Sequence, residues 1–160
     1  MKAYQWITLL LLGTLTISLQ ALEVSEDGNT IKILDGTNEL LVYHKSEVLP
    51  PEGSDPSYKR SAFIHPLKTP KGSTVTSIHP DDHIHHIGLW HAWVNTSHES
   101  RKIDFWNLKK KEGTVRYKKT ISLNQESDKK GFTVLQEHIA TYEGQKPITI
   151  IEESFSIGVV

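Results

Sequence analysis

Short runs in which apolar and polar residues alternate recur along the chain, and they predict β-strands separated by turns. Residues 22–25, 30–34 and 39–44 are three such runs. Gly28 and Gly36 lie in the two segments between them, where a residue without a Cβ readily adopts the positive φ of a tight turn. We therefore predict a β-meander at the start of the folded part.

Similar runs extend to the end of the sequence, and helical periodicity is nearly absent after position 21. Residues 48–57 contain three prolines and predict a loop, because proline cannot donate to a sheet ladder. The clearest strand, residues 113–123, places Val115, Tyr117, Ile121 and Leu123 on one face, and a hairpin returns the chain through residues 131–142. The other predicted strands are residues 60–64, 73–78, 87–94, 102–107 and 147–157. The pattern as a whole predicts an all-β fold, an antiparallel β-sandwich.

The first 21 residues do not follow this alternation. Lys2 precedes a short, mostly apolar run at residues 7–19, and Ala21 ends a small-residue cleavage sequence, as is typical of a secretory signal peptide. The apolar run is shorter than the roughly 20 residues that a bilayer-spanning helix needs. We predict a signal peptide at 1–21 and a folded domain at 22–160, with a periplasmic or secreted location and no stable membrane span after cleavage. An uncleaved N-terminal anchor is the alternative.

Composition narrows the classes of function. The formal net charge is −1, and removal of Lys2 with the signal makes it more negative, so a nucleic-acid-binding protein is not expected. The chain has no cysteine, which excludes a disulfide framework and leaves histidine, aspartate and glutamate as the possible metal ligands.

Histidines are concentrated in one segment. Five of the nine lie between positions 79 and 91. In an extended backbone, side chains at i and i+2 share a face, so His83 and His85 are predicted to point together and could give two nitrogen ligands to one divalent transition metal. His86 is predicted to point to the other face, and Asp82 could add an oxygen ligand or orient an imidazole. Metal binding and metal-free acid–base chemistry both stay open, and His44, His98 and His138 are interpreted as incidental.

Tryptophans lie beside the histidines. Trp90, Trp93 and Trp106 are close in sequence to the cluster, and indole faces pack well against the C–H faces of sugars. The alternative is that tryptophans in alternating strands belong to the core. Asp104 would bring a carboxylate near the histidines if residues 102–107 pair with the histidine strand.

Four segments in order carry a resemblance to a known family: SAFIHPL at 61–67, TPKG at 69–72, PDDHIHHIGLW at 80–90 and DFW at 104–106. They resemble the DUF6807 family of exported bacterial proteins, whose members often carry the label "methane oxygenase PmoA". The resemblance implies a β-sandwich similar to galactose mutarotase-like folds, in bacteria that degrade complex glycans, with no established activity. It also implies that this chain is a truncated copy or a fragment. The matched positions are His65, Asp82, His83, His85, His86, Gly88, Trp90 and Trp106, whereas His91 and His79 are not part of the pattern.

The predicted function is that of an exported protein that acts on or binds a carbohydrate or glycoside through its histidine-rich site. Its predicted catalytic residues are His83, His85, His86 and Asp82; its predicted substrate-binding residues are His65, Trp90 and Trp106; its predicted metal ligands are His83 and His85. One alternative is a non-catalytic carbohydrate- or metal-binding module. Another is a metal-dependent oxygenase, although a membrane methane oxygenase subunit would show several long apolar spans, which this sequence lacks.

Overall fold

A computed structural model describes residues 22–126 and 129–160. Strands β1 to β4 form an antiparallel sheet in the order β1-β2-β3-β4, and β7 to β9 form a second one in the order β7-β8-β9. Strands β5 and β6 form a small ribbon. The bounds are β1 Leu22–Glu26, β2 Thr30–Asp35, β3 Asn38–His44, β4 Phe63–Leu67, β5 Thr96–His98, β6 Arg101–Ile103, β7 Gly113–Gln125, β8 Lys130–Ala140 and β9 Ile148–Val159, with single 3-10 turns at Pro56–Tyr58 and Leu108–Lys110.

The two larger sheets pack against each other through one hydrophobic core. Alternation buries Ile31 and Ile33 on β2, and it buries Phe132 and Val134 on β8. The rings of Tyr43 on β3 and Phe132 lie 5.3 Å apart across the interface. The core therefore joins both sheets, as in a sandwich.

The predicted all-β antiparallel fold is confirmed, and so is the meander of β1, β2 and β3. The predicted strand at residues 60–64 begins later, at Phe63, and joins the meander as its fourth member. The hairpin of residues 113–123 and 131–142 is confirmed as β7 and β8.

The predicted strands at residues 73–78 and 87–94 are wrong. These residues form irregular connections with isolated bridges, Lys68 with Thr74, Ile78 with Ile87 and Ile64 with Leu89. The predicted strand at residues 102–107 is largely wrong, because β6 ends at Ile103 and the chain then turns. The candidate site thus lies on connections between strands and not on a sheet face.

Strand β7 also departs from simple alternation. Register shifts between Tyr117 and Lys119, and between Thr120 and Ser122, interrupt its pairing with β8. Val115 is buried, whereas Ile121 and Leu123 are exposed. The prediction of one continuous apolar face on this strand is therefore wrong beyond Tyr117.

The predicted signal peptide, residues 1–21, lies outside the described residues and stays a prediction, as does the domain boundary that depends on it. Among the described residues there is no helix of the length and apolarity that crossing a membrane requires.

Candidate functional site

The long connection from β4 to β5 carries the histidines, and backbone hydrogen bonds fasten it to the first sheet. Ile64 and Leu89 exchange two of them, at 2.8 and 2.9 Å between nitrogen and oxygen. Ile87 is 1% exposed and anchors the connection in the interior. The segment between these contacts is thus a defined surface feature.

Gly88 allows this close approach. Its φ is +60°, and a Cβ built on it would lie 2.2 Å from the carbonyl oxygen of Ile64. Only glycine fits that backbone position without displacing β4. The glycine between His86 and Trp90 therefore has a structural reason to be there.

A compact turn precedes it, and His79 holds the turn together. Its backbone N–H donates to the carbonyl of His86 at 2.8 Å, and its ring Nδ1–H donates to the carbonyl of Ile84 at 2.7 Å. His79 is 8% exposed. We assign this histidine a structural role.

The turn gathers three imidazoles. Ring centroids lie 5.9 Å apart for His83 and His85, 4.9 Å for His83 and His86, and 4.5 Å for His85 and His86. The prediction that His83 and His85 come together is thus correct in outcome, although its strand geometry is wrong. The prediction that His86 points away is wrong, because a turn does not keep the two-residue alternation of a strand.

Two tryptophans extend the cluster into a pocket. The ring centroids of Trp90 and Trp106 are 4.8 Å apart, and the His86 ring lies 5.8 Å from Trp90 and 5.6 Å from Trp106. Beside them is a cavity of about 450 Å³ that opens to solvent. Its walls include Leu67, Val75, His86, Leu89, Trp90 and Trp106. Two smaller cavities elsewhere are lined by neither histidine nor tryptophan.

Asp104 fixes the backbone turn that carries Trp106. Its Oδ1 accepts hydrogen bonds from the backbone N–H groups of Trp106 and Asn107 at 2.8 and 3.0 Å, and its Oδ2 accepts from Lys110 at 2.8 Å. The strand pairing on which the prediction for this carboxylate depended does not form, and its oxygens cap the turn that presents the indole. The carboxylate is nevertheless near enough to His85 to act on the pKa of that ring.

His65 contacts a residue of the cavity wall. Its Nδ1 and the hydroxyl of Thr76, a residue of the cavity wall, are 3.0 Å apart. Its carbonyl accepts a hydrogen bond from Nε2–H of His44 at 2.7 Å. His44 therefore supports the site and is not incidental to the structure.

Burial and the neighbouring imidazoles both act on the pKa of His85. Burial lowers the pKa of His85, and the neighbouring His86 and His83 lower it further. Burial also lowers the pKa of His65. A hydrogen bond from His83, 3.1 Å from the carboxylate, lowers the pKa of Asp82. His85 is thus neutral at pH 7, the form in which imidazole accepts a proton or binds a metal.

The predicted metal at His83 and His85 stays a prediction. In the part of the chain that the structure describes, no group of three or more histidine, aspartate or glutamate side chains is arranged to hold an ion. His83 and His86 lie nearly parallel, at 23°, as stacked rings do.

Metal analysis of protein purified without a histidine tag checks that prediction. We expect a divalent transition metal, such as Zn²⁺, that is lost in both His83→Ala and His85→Ala, because each removes one of the two nitrogen ligands. The matched control is His98→Ala, outside the cluster. Metal-free protein, or retention of the metal in both variants, would overturn the prediction.

Sequence reasoning missed a second group of polar side chains. His138 on β8 is fully buried and its Nε2 lies 2.9 Å from Oε2 of Glu153 on β9, whose other oxygen contacts His91. The sequence held one indication of this burial: in a strand, His138 lies on the same face as Phe132 and Val134, which are buried. Leu135 and Ile139 on the opposite face are apolar too, so that indication was ambiguous.

Comparison with known proteins gives one match. The model of a family described as "Family of unknown function (DUF6807)" matches residues 30–159. No curated protein and no solved structure matches the chain.

Proposed function

The chain belongs to the DUF6807 family, whose function is unknown, and we propose that it binds a carbohydrate or glycoside in the pocket of Trp90, Trp106 and His86 and acts on it there. A single observation carries this proposal. Two indoles 4.8 Å apart and the imidazole of His86 line an open cavity of about 450 Å³. Such a volume is within the range of small-molecule sites.

The walls of the cavity offer apolar surface and polar groups, which match the C–H groups and the hydroxyls of a sugar. Leu67, Leu89 and the indoles offer apolar surface to C–H groups. Ser77 lines the same cavity and offers a hydroxyl, which can exchange hydrogen bonds with sugar hydroxyls. A neutral ligand of mixed polarity fits these walls better than an ion does.

The histidines supply the proposed acid–base groups. His85 packs against Trp106, with ring centroids 6.5 Å apart, and burial lowers its pKa, so its neutral ring can accept a proton at pH 7. Asp82 and His83 form the outer, exposed edge of the cluster. We propose His86, which lines the cavity, and His85, which packs against Trp106, as the acid–base groups, with His83 and Asp82 supporting them.

A non-catalytic binding module would use the same walls, so turnover separates it from an enzyme. The oxygenase alternative depends on the metal predicted at His83 and His85 and is tested with it. We further propose that the protein is exported, and this rests on the apolar run at residues 7–19.

Binding to a panel of neutral sugars, including cellobiose, maltose and lactose, tests the proposal by calorimetry. We expect Trp90→Ala and Trp106→Ala each to weaken binding about tenfold or more, because each removes an aromatic wall worth on the order of 1 kcal/mol beyond its buried area. His85→Ala is expected to abolish turnover of the bound sugar while leaving most of the affinity.

Matched controls keep the result specific to the pocket. Trp90→Phe retains an aromatic face and should retain most of the affinity, and Leu49→Ala changes an exposed apolar residue outside the cavity and should retain all of it. Affinity that is unchanged in both alanine variants of the tryptophans would overturn the proposal. Turnover that is equal in His85→Ala would overturn the catalytic role of His85, and absence of turnover in the wild type would favour the binding module.

A further inference from the structure

A second ionisable cluster lies behind the tryptophan pocket and includes His91, the residue that follows Trp90. Its carboxylate is Glu153 on β9, which accepts from both imidazoles of the cluster, Oε1 from Nδ1 of His91 and Oε2 from Nε2 of His138 at 2.9 Å. The three residues come from a loop and two strands of the second sheet. Glu153 faces Gln136 in the register of β8 and β9, so sheet pairing sets its position.

The hydrogen bonds define the tautomers. An ionised carboxylate only accepts, so His91 donates through Nδ1–H and His138 donates through Nε2–H. The neutral His91 ring then carries its lone pair on Nε2. This is the arrangement in which a carboxylate orients an imidazole to take a proton from a ligand.

The surroundings keep Glu153 ionised. Burial raises the pKa of the Glu153 carboxyl, but hydrogen bonds from His138 and His91 outweigh burial and leave the pKa below its ordinary value. Arg60 and Tyr43 are the other titratable groups that face it. Burial lowers the pKa of Arg60 to about 9, so the guanidinium is still charged at pH 7.

The three side chains of the cluster differ in their exposure to solvent. The His138 side chain is 0% exposed and that of Glu153 is 17% exposed, whereas that of His91 is 44% exposed. Trp93, half exposed, places its ring centroid 4.9 Å from that of His91. An indole that solvent can reach therefore lies beside the partly exposed imidazole of His91.

Arg60 connects this cluster to the pocket. Its guanidinium lies over the Trp90 ring at 5.6 Å from the centroid, and its Nη2 donates to the carbonyl of His91 at 3.4 Å. Its Nε is buried without a hydrogen-bond partner among the described residues. The buried Arg60 thus contacts the ring of Trp90 and the backbone of His91, although the rings of these two residues belong to different clusters.

We propose that His91 is a general base of a second site, oriented by Glu153 and anchored through it by His138, and that it acts on a hydroxyl group of a carbohydrate stacked on Trp93. The hydroxyl hydrogen moves to Nε2, the O–H electron pair stays on the oxygen, and Glu153 balances the imidazolium that forms. His91 is the residue that contacts the ligand, and Glu153 and His138 are positioning residues. The choice of ligand rests on the proposed function, whereas the reactive imidazole does not.

Modification with diethyl pyrocarbonate, mapped by mass spectrometry of peptides, tests the base. This reagent acylates neutral, accessible imidazole nitrogen, so we expect His91 to react about tenfold faster in the wild-type protein than in Glu153→Gln, the loss typical of removing an orienting partner. Glu153→Asp keeps the carboxylate and should restore part of the rate. His83 in the same digest is the internal reference, because it is exposed and has its own partner in Asp82.

Two measurements keep the test independent of folding in the variants. The rate at His83 should be equal in the wild type and in Glu153→Gln if the fold is intact. Nitrogen NMR of the wild-type protein should find the neutral His91 ring protonated at Nδ1. Equal rates at His91 with and without the Glu153 carboxylate, or a ring protonated at Nε2, would overturn the inference.

Protection of His91 from the reagent by a bound sugar tests the choice of ligand. A disaccharide of the panel should slow modification of His91 by stacking on Trp93, and Trp93→Ala should remove that protection. Binding without protection would overturn the ligand assignment and leave the proposed function standing. Failure of every sugar to bind would overturn the proposed function and the ligand assignment together, while the labelling rates would still decide the base.

Discussion

Gly88→Ala is expected to lower the free energy of unfolding by about 3 kcal/mol and to abolish sugar binding in the pocket. A non-glycine residue in the left-handed region costs roughly 1–2 kcal/mol. The added Cβ would also lie 2.2 Å from the carbonyl oxygen of Ile64, so β4 and the connection must separate. Separation breaks the two hydrogen bonds between Ile64 and Leu89, each worth about 1 kcal/mol. Urea unfolding and calorimetric titration with the panel of sugars measure the two effects.

Gly144→Ala is the matched control. Gly144 has a similar φ of +71°, but nothing lies within 4 Å of the position its Cβ would take. This variant should therefore lose only the roughly 1–2 kcal/mol of backbone strain and should bind sugar normally. Equal losses of stability in the two variants would mean that the close approach at Ile64 contributes nothing.

Asp104→Ala is expected to cost about 2 kcal/mol of stability and to weaken sugar binding, although Asp104 is not part of the cavity wall. The change removes the acceptor for two backbone N–H groups, of Trp106 and Asn107, and the partner of Lys110. Removing such a cap typically costs on the order of 1–2 kcal/mol. Trp106 then loses its orientation, which thermal unfolding and sugar titration would detect.

Asp104→Asn separates the cap from the charge. Asparagine keeps an oxygen for the backbone N–H groups, so we expect less than half the loss of stability and near-normal sugar binding. Binding as weak in Asp104→Asn as in Asp104→Ala would show that the ion pair with Lys110, and not the cap, orients the indole.

The pH dependence of Asp104→Asn follows from the same contacts. Burial raises the pKa of Asp104, but hydrogen bonds from Lys110 and from the backbone outweigh burial and leave the pKa below its ordinary value. A carboxyl with a lowered pKa stabilises the folded state above its unfolded pKa of about 3.9, and this stabilisation is lost as the pH falls through the folded value. The stability difference between wild type and Asp104→Asn should therefore be constant at neutral pH and shrink below about pH 4. A difference that grows on acidification would contradict this assignment.

The strands of the two larger sheets could be predicted from the alternation of residues, and the connections between them could not. In β2 and β8, side-chain direction depends only on neighbouring positions, so local pattern is sufficient. Residues 73–78 and 87–94 have strand-like composition but pair only at isolated bridges, because turns within residues 79–86 and the glycine at 88 interrupt any ladder. Strand propensity describes a surface onto which residues pack, and here contact with β4 is limited to isolated positions and does not extend into a ladder.

The candidate pocket was located from sequence by proximity along the chain. His83, His85 and His86 are so close in sequence that almost any compact turn brings their rings together. The prediction that His83 and His85 lie together was therefore correct, whereas its strand geometry and the prediction that His86 points away were wrong. Trp106 could be placed near them only through the turn that Asp104 caps.

Sequence by itself determined the class of fold, the meander and the segment that holds the histidine cluster, because each depends on contacts between residues near one another in the chain. Only the tertiary structure decided which side chains surround Glu153. Its partners His91 and His138 lie 62 and 15 positions away, and they meet it through the pairing register of β8 with β9 and the path of the loop over the second sheet. A one-residue change of register would turn Glu153 to the opposite face, and nothing in the local pattern of apolar residues specifies that register uniquely, since both faces of β8 contain apolar side chains.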